Sequence, residues 1–305
     1  MKMIFSVFGL LLLALIGIYY LFNPETKDLN DVERKKLGGT YIRLSNGITH
    51  YKLEGPDNGE LVVLVHGGTV PLWTWDKQIQ PLKEQDYRIL RYDMYGRGYS
   101  DRPNVVYDQQ LYRAQLLELL DKLGLKKPFD LIGLSLGGGI ATTFTAHHPE
   151  RVRNLVLISP LINDFKVPFF VQIPIVREFI TRLAGIKIIT NRFISLFEGS
   201  PEAKKYLQLF TEQTTYKGFQ RSLLSMLRND AISGDYSPSY QSVGEQDRKV
   251  FLIWGNEDEE VTKTMIDRIK SLMPDLEFKP VEKAGHGVLF QKPYVINELI
   301  TRCLK

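Results

Sequence analysis

Eight short apolar runs, most of them rich in branched residues, alternate along this chain with amphipathic stretches, and that alternation limits the fold more than any other feature. "TYIRL" (Thr40–Leu44) and "THYKLE" (Thr49–Glu54) flank the turn dipeptide Asn46-Gly47 and predict a hairpin. "LVVLVH" (Leu61–His66), "YRILRYD" (Tyr87–Asp93), "FDLIGL" (Phe129–Leu134), "NLVLIS" (Asn154–Ser159), "KVFLIW" (Lys249–Trp254) and "LEFKPV" (Leu276–Val281) follow. Most are nearly continuous apolar runs, as expected of strands covered on both faces. Helical patterns separate them, notably over Tyr107–Leu123, Leu136–His147, Thr262–Leu272 and Val288–Cys303. The order predicts an α/β fold, with a mostly parallel eight-stranded sheet carrying helices on both faces.

Two segments depart from the rhythm. Between Leu161 and Asp247 no strand pattern occurs, and the apolar sequence "DFKVPFFVQIPIVREFI" (Asp164–Ile180) opens the interval. So long an insertion predicts a helical lid over the ligand crevice rather than a loop. At the other end, Met3–Phe22 holds 20 residues without a charge, a length that as a helix matches a hydrocarbon core about 30 Å thick. A retained single-pass membrane anchor over residues 1–22 is therefore expected, with Tyr19, Tyr20 and Phe22 at the interface. Lys2 favours a cytoplasmic N-terminus, which sets the remainder on the exoplasmic or periplasmic side, although Lys27, Arg34, Lys35 and Lys36 count against it. The resulting division is an anchor (1–22), a polar linker (23–39), a core (40–160 and 248–305) and a lid (161–247).

Composition narrows the function. With 39 basic against 35 acidic residues the net charge is only +4, and no basic block alternates with aromatics, so nucleic acid is not an expected partner. A single cysteine, Cys303, excludes an internal disulfide and a thiolate metal cage, and no metal or cofactor is expected.

Chemistry concentrates at the predicted carboxyl edge of the sheet, where strand-to-helix turns bind ligands. In "DLIGLSLGGG" (Asp130–Gly139) Ser135 lies between Gly133 and Gly137, after a strand and before a helix, which suits a sharp turn that lifts the hydroxyl clear of the sheet. A serine nucleophile needs a base, and there are five histidines to choose from. His147 and His148 end the following helix, about 18 Å away at helical rise. His66 reads as an orienting residue of its glycine turn, and His50 lies in the early hairpin. His286, between Gly285 and Gly287 after the last strand, remains. For the acid, both Asp258 and Asp164 follow strands; the chain order serine, acid, histidine favours Asp258. An acyl-transfer oxyanion would meet the N–H groups of Leu136 and Gly68, with Thr69 as the alternative to Gly68.

From about Thr40 to Lys305 the chain resembles the α/β-hydrolase fold family. The resemblance rests on "VLVHGG", "RYDMYGRGYSDRP" (Arg91–Pro103), "GLSLGGG", "HPERVRNLVLISP", "WGNEDEEV" and "AGHG", in that order and spacing. It implies the serine hydrolase branch, with Ser135 as nucleophile, Asp258 as acid and His286 as base; the dehalogenase and epoxide hydrolase branches carry aspartate where Ser135 stands. The expected function is that of a membrane-anchored serine esterase, a carboxylesterase or monoacylglycerol-type lipase. Phe165, Phe169 and Phe170 of the lid are expected to bind a small hydrophobic ester or acyl substrate. The same triad would also serve C–C bond hydrolysis or acyl transfer, and a non-catalytic small-ligand binder is the remaining reading.

Overall fold

The computed structural model describes residues 17, 19–162, 167–197 and 200–305. Among them no helix is long and apolar enough to cross a membrane. All but the end of the expected anchor, Met3–Phe22, lies outside the described residues, as do Asp164 and Phe165.

Eight strands form one sheet: β1 (Thr40–Leu44), β2 (Gly47–Glu54), β3 (Leu61–Val65), β4 (Arg88–Tyr92), β5 (Phe129–Leu134), β6 (Val152–Ile158), β7 (Val250–Gly255) and β8 (Glu277–Val281). Their spatial order is β1-β2-β4-β3-β5-β6-β7-β8. β1, β2 and β4 pair antiparallel, and every pair from β4 to β8 is parallel. The turn of the β1–β2 hairpin is one residue earlier than the Asn46-Gly47 dipeptide suggests: Leu44 pairs with Gly47, leaving Ser45 and Asn46 at its tip. All six residues of β5 and all six of β7 are buried, which accounts for the unbroken apolar runs at those strands. The chain leaves β3 for β4 on one side and returns to place β5 on the other. The crevice at the carboxyl ends of β3 and β5 is thus the switch point where such sheets receive ligands.

The interval 161–247 is helical in its described residues. It holds a near-continuous helical run, Val176–Leu196, interrupted by a π-turn at Thr181–Gly185, then the helices Ala203–Thr214, Phe219–Arg228, Asp230–Ser233 and Ser237–Gly244. An aromatic cluster fastens this cap to the core. Phe193 stacks on Phe210 with ring centroids 4.0 Å apart, Phe197 meets Phe290 at 4.3 Å, and Trp73 stacks on Tyr206 at 5.2 Å.

Residues 23–39 also pack. A helix spans Asp31–Leu37, capped by the Asn30 side chain accepting from the Glu33 N–H. Lys27 bridges to Tyr216 in the cap. The buried Glu25 carboxylate accepts the N–H groups of Gly218 (3.0 Å) and Gln220 (2.6 Å) at the start of the Phe219–Arg228 helix, whose first amides and dipole favour an anion.

Candidate active site

Ser135 sits between the end of β5 and the helix Leu136–His147 with φ 52° and ψ −119°, a backbone region that non-glycine residues rarely occupy. The flanking glycines make that bend physically possible. A Cβ on Gly133 would lie 2.4 Å from the Gly137 carbonyl oxygen, and one on Gly137 would lie 2.3 Å from that of Val65. The bend is pinned from behind by the Ser135 N–H donating to Ile158 (3.0 Å) and the Leu161 N–H donating to Ser135 (2.9 Å).

Ser135 Oγ lies 3.1 Å from His286 Nε2, and His286 Nδ1 lies 2.9 Å from Asp258 Oδ2. The second oxygen of Asp258, Oδ1, accepts the N–H groups of Glu260 (2.9 Å) and Val261 (2.8 Å), so the carboxylate is bonded on both sides. Burial by itself would raise the Asp258 pKa, but the hydrogen bond and charge of His286 and the Val261 amide outweigh it and hold the pKa below the usual range. For His286 burial favours the neutral ring, yet the bond to Asp258, its charge and that of Glu260 prevail and raise the pKa. Asp258, one of several acids in "NEDEEV", is the buried one; Glu257 and Glu259 face solvent.

The other histidines are engaged elsewhere. His66 is fully buried, bonds the Gly67 carbonyl through Nδ1 (2.7 Å) and accepts the Met94 N–H at Nε2 (2.9 Å). Burial lowers its pKa to about 4, so it stays neutral and serves the turn after β3. His50 pairs with the buried Asp93 (2.7 Å), and His147 Nε2 is 2.8 Å from Arg113.

Above Ser135 opens a cavity of about 790 Å³, its open mouth included. Gly68, Thr69 and Leu136 lie in its wall. Leu136 begins its helix, so its N–H has no intrahelical acceptor. The turn bearing Gly68 is held by the buried Arg97, whose Nε donates to the Gly68 carbonyl (2.5 Å) and whose Nη1 donates to Ser222 of the cap (2.9 Å).

The lid aromatics differ from expectation. Phe169 is 80% exposed, and neither it nor Phe170 lines the cavity. Between Pro168 and Pro174 the chain makes a short 3-10 turn, Phe169–Gln172, in which Val171 rather than Phe169 or Phe170 is the buried side chain. The apolar wall comes instead from Leu161, Leu196, Ile232, Val261, Leu289 and Phe290. Sequence reasoning also passed over two charged residues in the wall, Arg192 and Glu260. Glu260 Oε2 stands 3.2 Å from His286 Nε2, while Arg192 of the cap grips the same carboxylate with Nε (2.5 Å from Oε1) and Nη2. Burial would raise the Glu260 pKa, but the bond to Arg192 and the charges of His286 and Arg192 lower it. The spacing from Asp258, two residues on in a loop whose amides wrap that aspartate, was the available signal.

A serine raised on a strained turn, next to a histidine held by a buried carboxylate, is the arrangement of a nucleophilic hydrolase. Residues 60–185 match the family model described as the α/β hydrolase fold. The chain carries the α/β-hydrolase fold, and it is a hydrolase. It is 27% identical over 280 residues to 2-hydroxy-6-oxo-6-phenylhexa-2,4-dienoate hydrolase of Comamonas testosteroni, covering 84% of this chain and 91% of that protein. It is likewise 27% identical over 294 residues to an uncharacterized carboxylesterase of Bacillus subtilis, with 93% and 91% covered. Among solved structures, the enol-lactonase from Burkholderia xenovorans superposes with a TM-score of 0.75 at 19% identity, covering 87% of this chain and 99% of that one, a likeness of fold.

Proposed function

We propose that the protein is a serine hydrolase that cleaves carboxylic esters of hydrophobic acyl substrates through an acyl-enzyme on Ser135. The observation that carries this reading is the unbroken chain of contacts from Ser135 Oγ to His286 (3.1 Å) to Asp258 (2.9 Å) at the floor of a largely apolar cavity. His286 Nε2 takes the Ser135 proton as Oγ attacks the acyl carbon. The N–H groups of Leu136 and Gly68 meet the oxyanion. The protonated His286 then gives its proton to the departing alcohol, and water, deprotonated by the same nitrogen, releases the acid. Asp258 holds the tautomer that leaves Nε2 free to accept.

The aliphatic wall formed by Leu161, Leu196 and Ile232 favours an uncharged acyl chain. The test is hydrolysis of nitrophenyl esters of increasing chain length by the wild type and Ser135→Ala. The reading expects turnover that rises from acetyl to medium chains and disappears in the variant; ester hydrolysis retained by Ser135→Ala would refute it. A second reading, C–C bond hydrolysis of a carboxylate-bearing dienoate with the same three residues, draws on Arg192 in the cavity wall and on the reaction named for the Comamonas relative. Turnover of such a compound exceeding that of every ester would favour it.

The same proposal places the enzyme at a membrane. Met3–Phe22 carries no charge, and Tyr20, Leu21 and Phe22 at its end are exposed. A single-pass anchor there, with the catalytic part on the exoplasmic or periplasmic side, would keep the cavity near hydrophobic esters. Fractionation of cells expressing the full chain tests it: recovery in the alkaline-resistant membrane pellet is expected, and recovery in the supernatant would refute it.

A further inference from the structure

His286 faces two carboxylates. Asp258 occupies Nδ1, and Glu260 reaches within 3.2 Å of Nε2, the nitrogen that also faces Ser135 Oγ at 3.1 Å. Nε2 has one position to offer. While the ring is neutral with its proton on Nδ1, Nε2 presents a lone pair, which suits the Ser135 hydroxyl and repels the Glu260 oxygens. Once Nε2 carries a proton, Glu260 Oε2 becomes a charge-assisted acceptor at hydrogen-bonding distance. The approach of Glu260 at 3.2 Å therefore turns from repulsive to attractive during proton transfer, and only interactions stronger in the transition state than before it lower a barrier.

The other side of Glu260 is held by Arg192, which comes from the cap helix and lines the same cavity. As an ion pair with a side chain 47% exposed, Arg192–Glu260 adds little to stability. Its place is what matters, since the guanidinium both withdraws the carboxylate and sets a positive charge near the ring. The charged groups facing His286 are then Asp258 and Glu260 from the loop after β7 and Arg192 from the cap, with uncharged Ser135 from the turn after β5.

We propose that Glu260 is a positioning residue for His286, gripping the imidazolium formed when Ser135 gives up its proton, and that Arg192 of the cap sets the strength of the grip. This rests on the serine hydrolase reading above. In the step concerned, the Ser135 proton passes to Nε2 as the Oγ–acyl bond forms. The same proton passes from Nε2 to the leaving oxygen as the acyl–oxygen bond breaks, and Glu260 stays ionised throughout. Too strong a grip would keep the proton from the leaving group, which gives Arg192 its moderating role. The direction of the His286 pKa, raised by Asp258 and Glu260 and opposed by burial and Arg192, agrees with this charge arrangement.

The test is the acid limb of kcat/KM against pH for a nitrophenyl ester, where each unit of displacement reads as about a tenfold change in rate. Glu260→Gln removes the negative charge, so His286 loses its proton at lower pH and the limb moves down. Arg192→Gln removes the positive charge and frees Glu260, so the limb moves up, while Arg192→Lys keeps the charge and holds the limb near its original position. A purely structural latch predicts that both glutamine variants lower the plateau with no displacement, or move the limb in the same direction; either result overturns the proposal. Fluorophosphonate labelling, read in the same preparations, separates the two levels. Wild type that labels at Ser135 with a limb unmoved by Glu260→Gln refutes the role of Glu260 alone; folded wild type that does not label refutes the serine hydrolase reading beneath it.

Discussion

Replacing Asp258 by asparagine conserves shape and separates the two tasks of that side chain. Its Oδ1 accepts two backbone N–H groups at 2.9 and 2.8 Å, while Oδ2 receives His286 Nδ1 at 2.9 Å. An asparagine must keep its carbonyl oxygen toward the amides of Glu260 and Val261, because turning its NH2 there would set donors against two buried donors. The NH2 then faces Nδ1, which must become an acceptor, and the ring proton moves to Nε2. In that tautomer His286 cannot accept from Ser135 Oγ. The expected cost is about 10⁴-fold in acylation, or about 5.5 kcal/mol of barrier. Stability should fall far less, by about 1–2 kcal/mol, since the amide bonds persist. Stopped-flow acylation with a nitrophenyl ester, beside a denaturant melt of the same protein, reads both quantities. A loss of tenfold or less with an unchanged melt would refute the tautomer argument and mean that His286 is oriented by something other than Asp258.

Further outcomes follow from the same contacts. Gly137→Ala places a methyl 2.3 Å from the Val65 oxygen and 2.4 Å from that of His66, both backbone, so it should lose about 3 kcal/mol or more in chemical denaturation; an unchanged midpoint would contradict the close approach. Glu25→Ala deprives two amides at the start of the Phe219–Arg228 helix of their acceptor and should cost about 2 kcal/mol, measured in the same way. Because the His286 pKa is raised and the base must be neutral, activity should be lost as pH falls through a midpoint above the ordinary histidine value of about 6.5; a wild-type midpoint below that value would be the wrong sign. Phe169→Ser, altering a ring 80% exposed and outside the cavity wall, should leave kcat and KM for soluble esters unchanged.

What the sequence discloses here follows from how strongly each residue is constrained. The strands from β3 to β7 are legible because a sheet covered on both faces needs unbroken apolar runs, and the turn at Ser135 because only glycine fits at 133 and 137. The cap is less legible, since its helices answer to contacts distant in the chain. Its aromatic anchors did leave a trace, the i, i+4 pairs Phe193/Phe197 and Tyr206/Phe210, which mark one face of each helix and are buried in the structure. The Pro168–Pro174 segment is more apolar yet lies largely on the surface with Val171 buried, which shows why hydrophobicity without periodicity pointed to Phe169 and Phe170. Residues 23–39 carried a helix signature too, Asn30 three residues before Glu33, but their polarity concealed how Glu25 is drawn into the cap. Glu260 was hidden differently, since in a run of four acids only three-dimensional position distinguishes the one beside Nε2.

The central claim is that Ser135 is the nucleophile, and a fluorophosphonate probe followed by peptide mapping tests it most directly. The account predicts one probe per chain, attached to the peptide containing Ser135, with labelling lost in Ser135→Ala and severely slowed in Asp258→Asn. A folded wild type that takes up no probe, or a label mapped to any other residue, would contradict it.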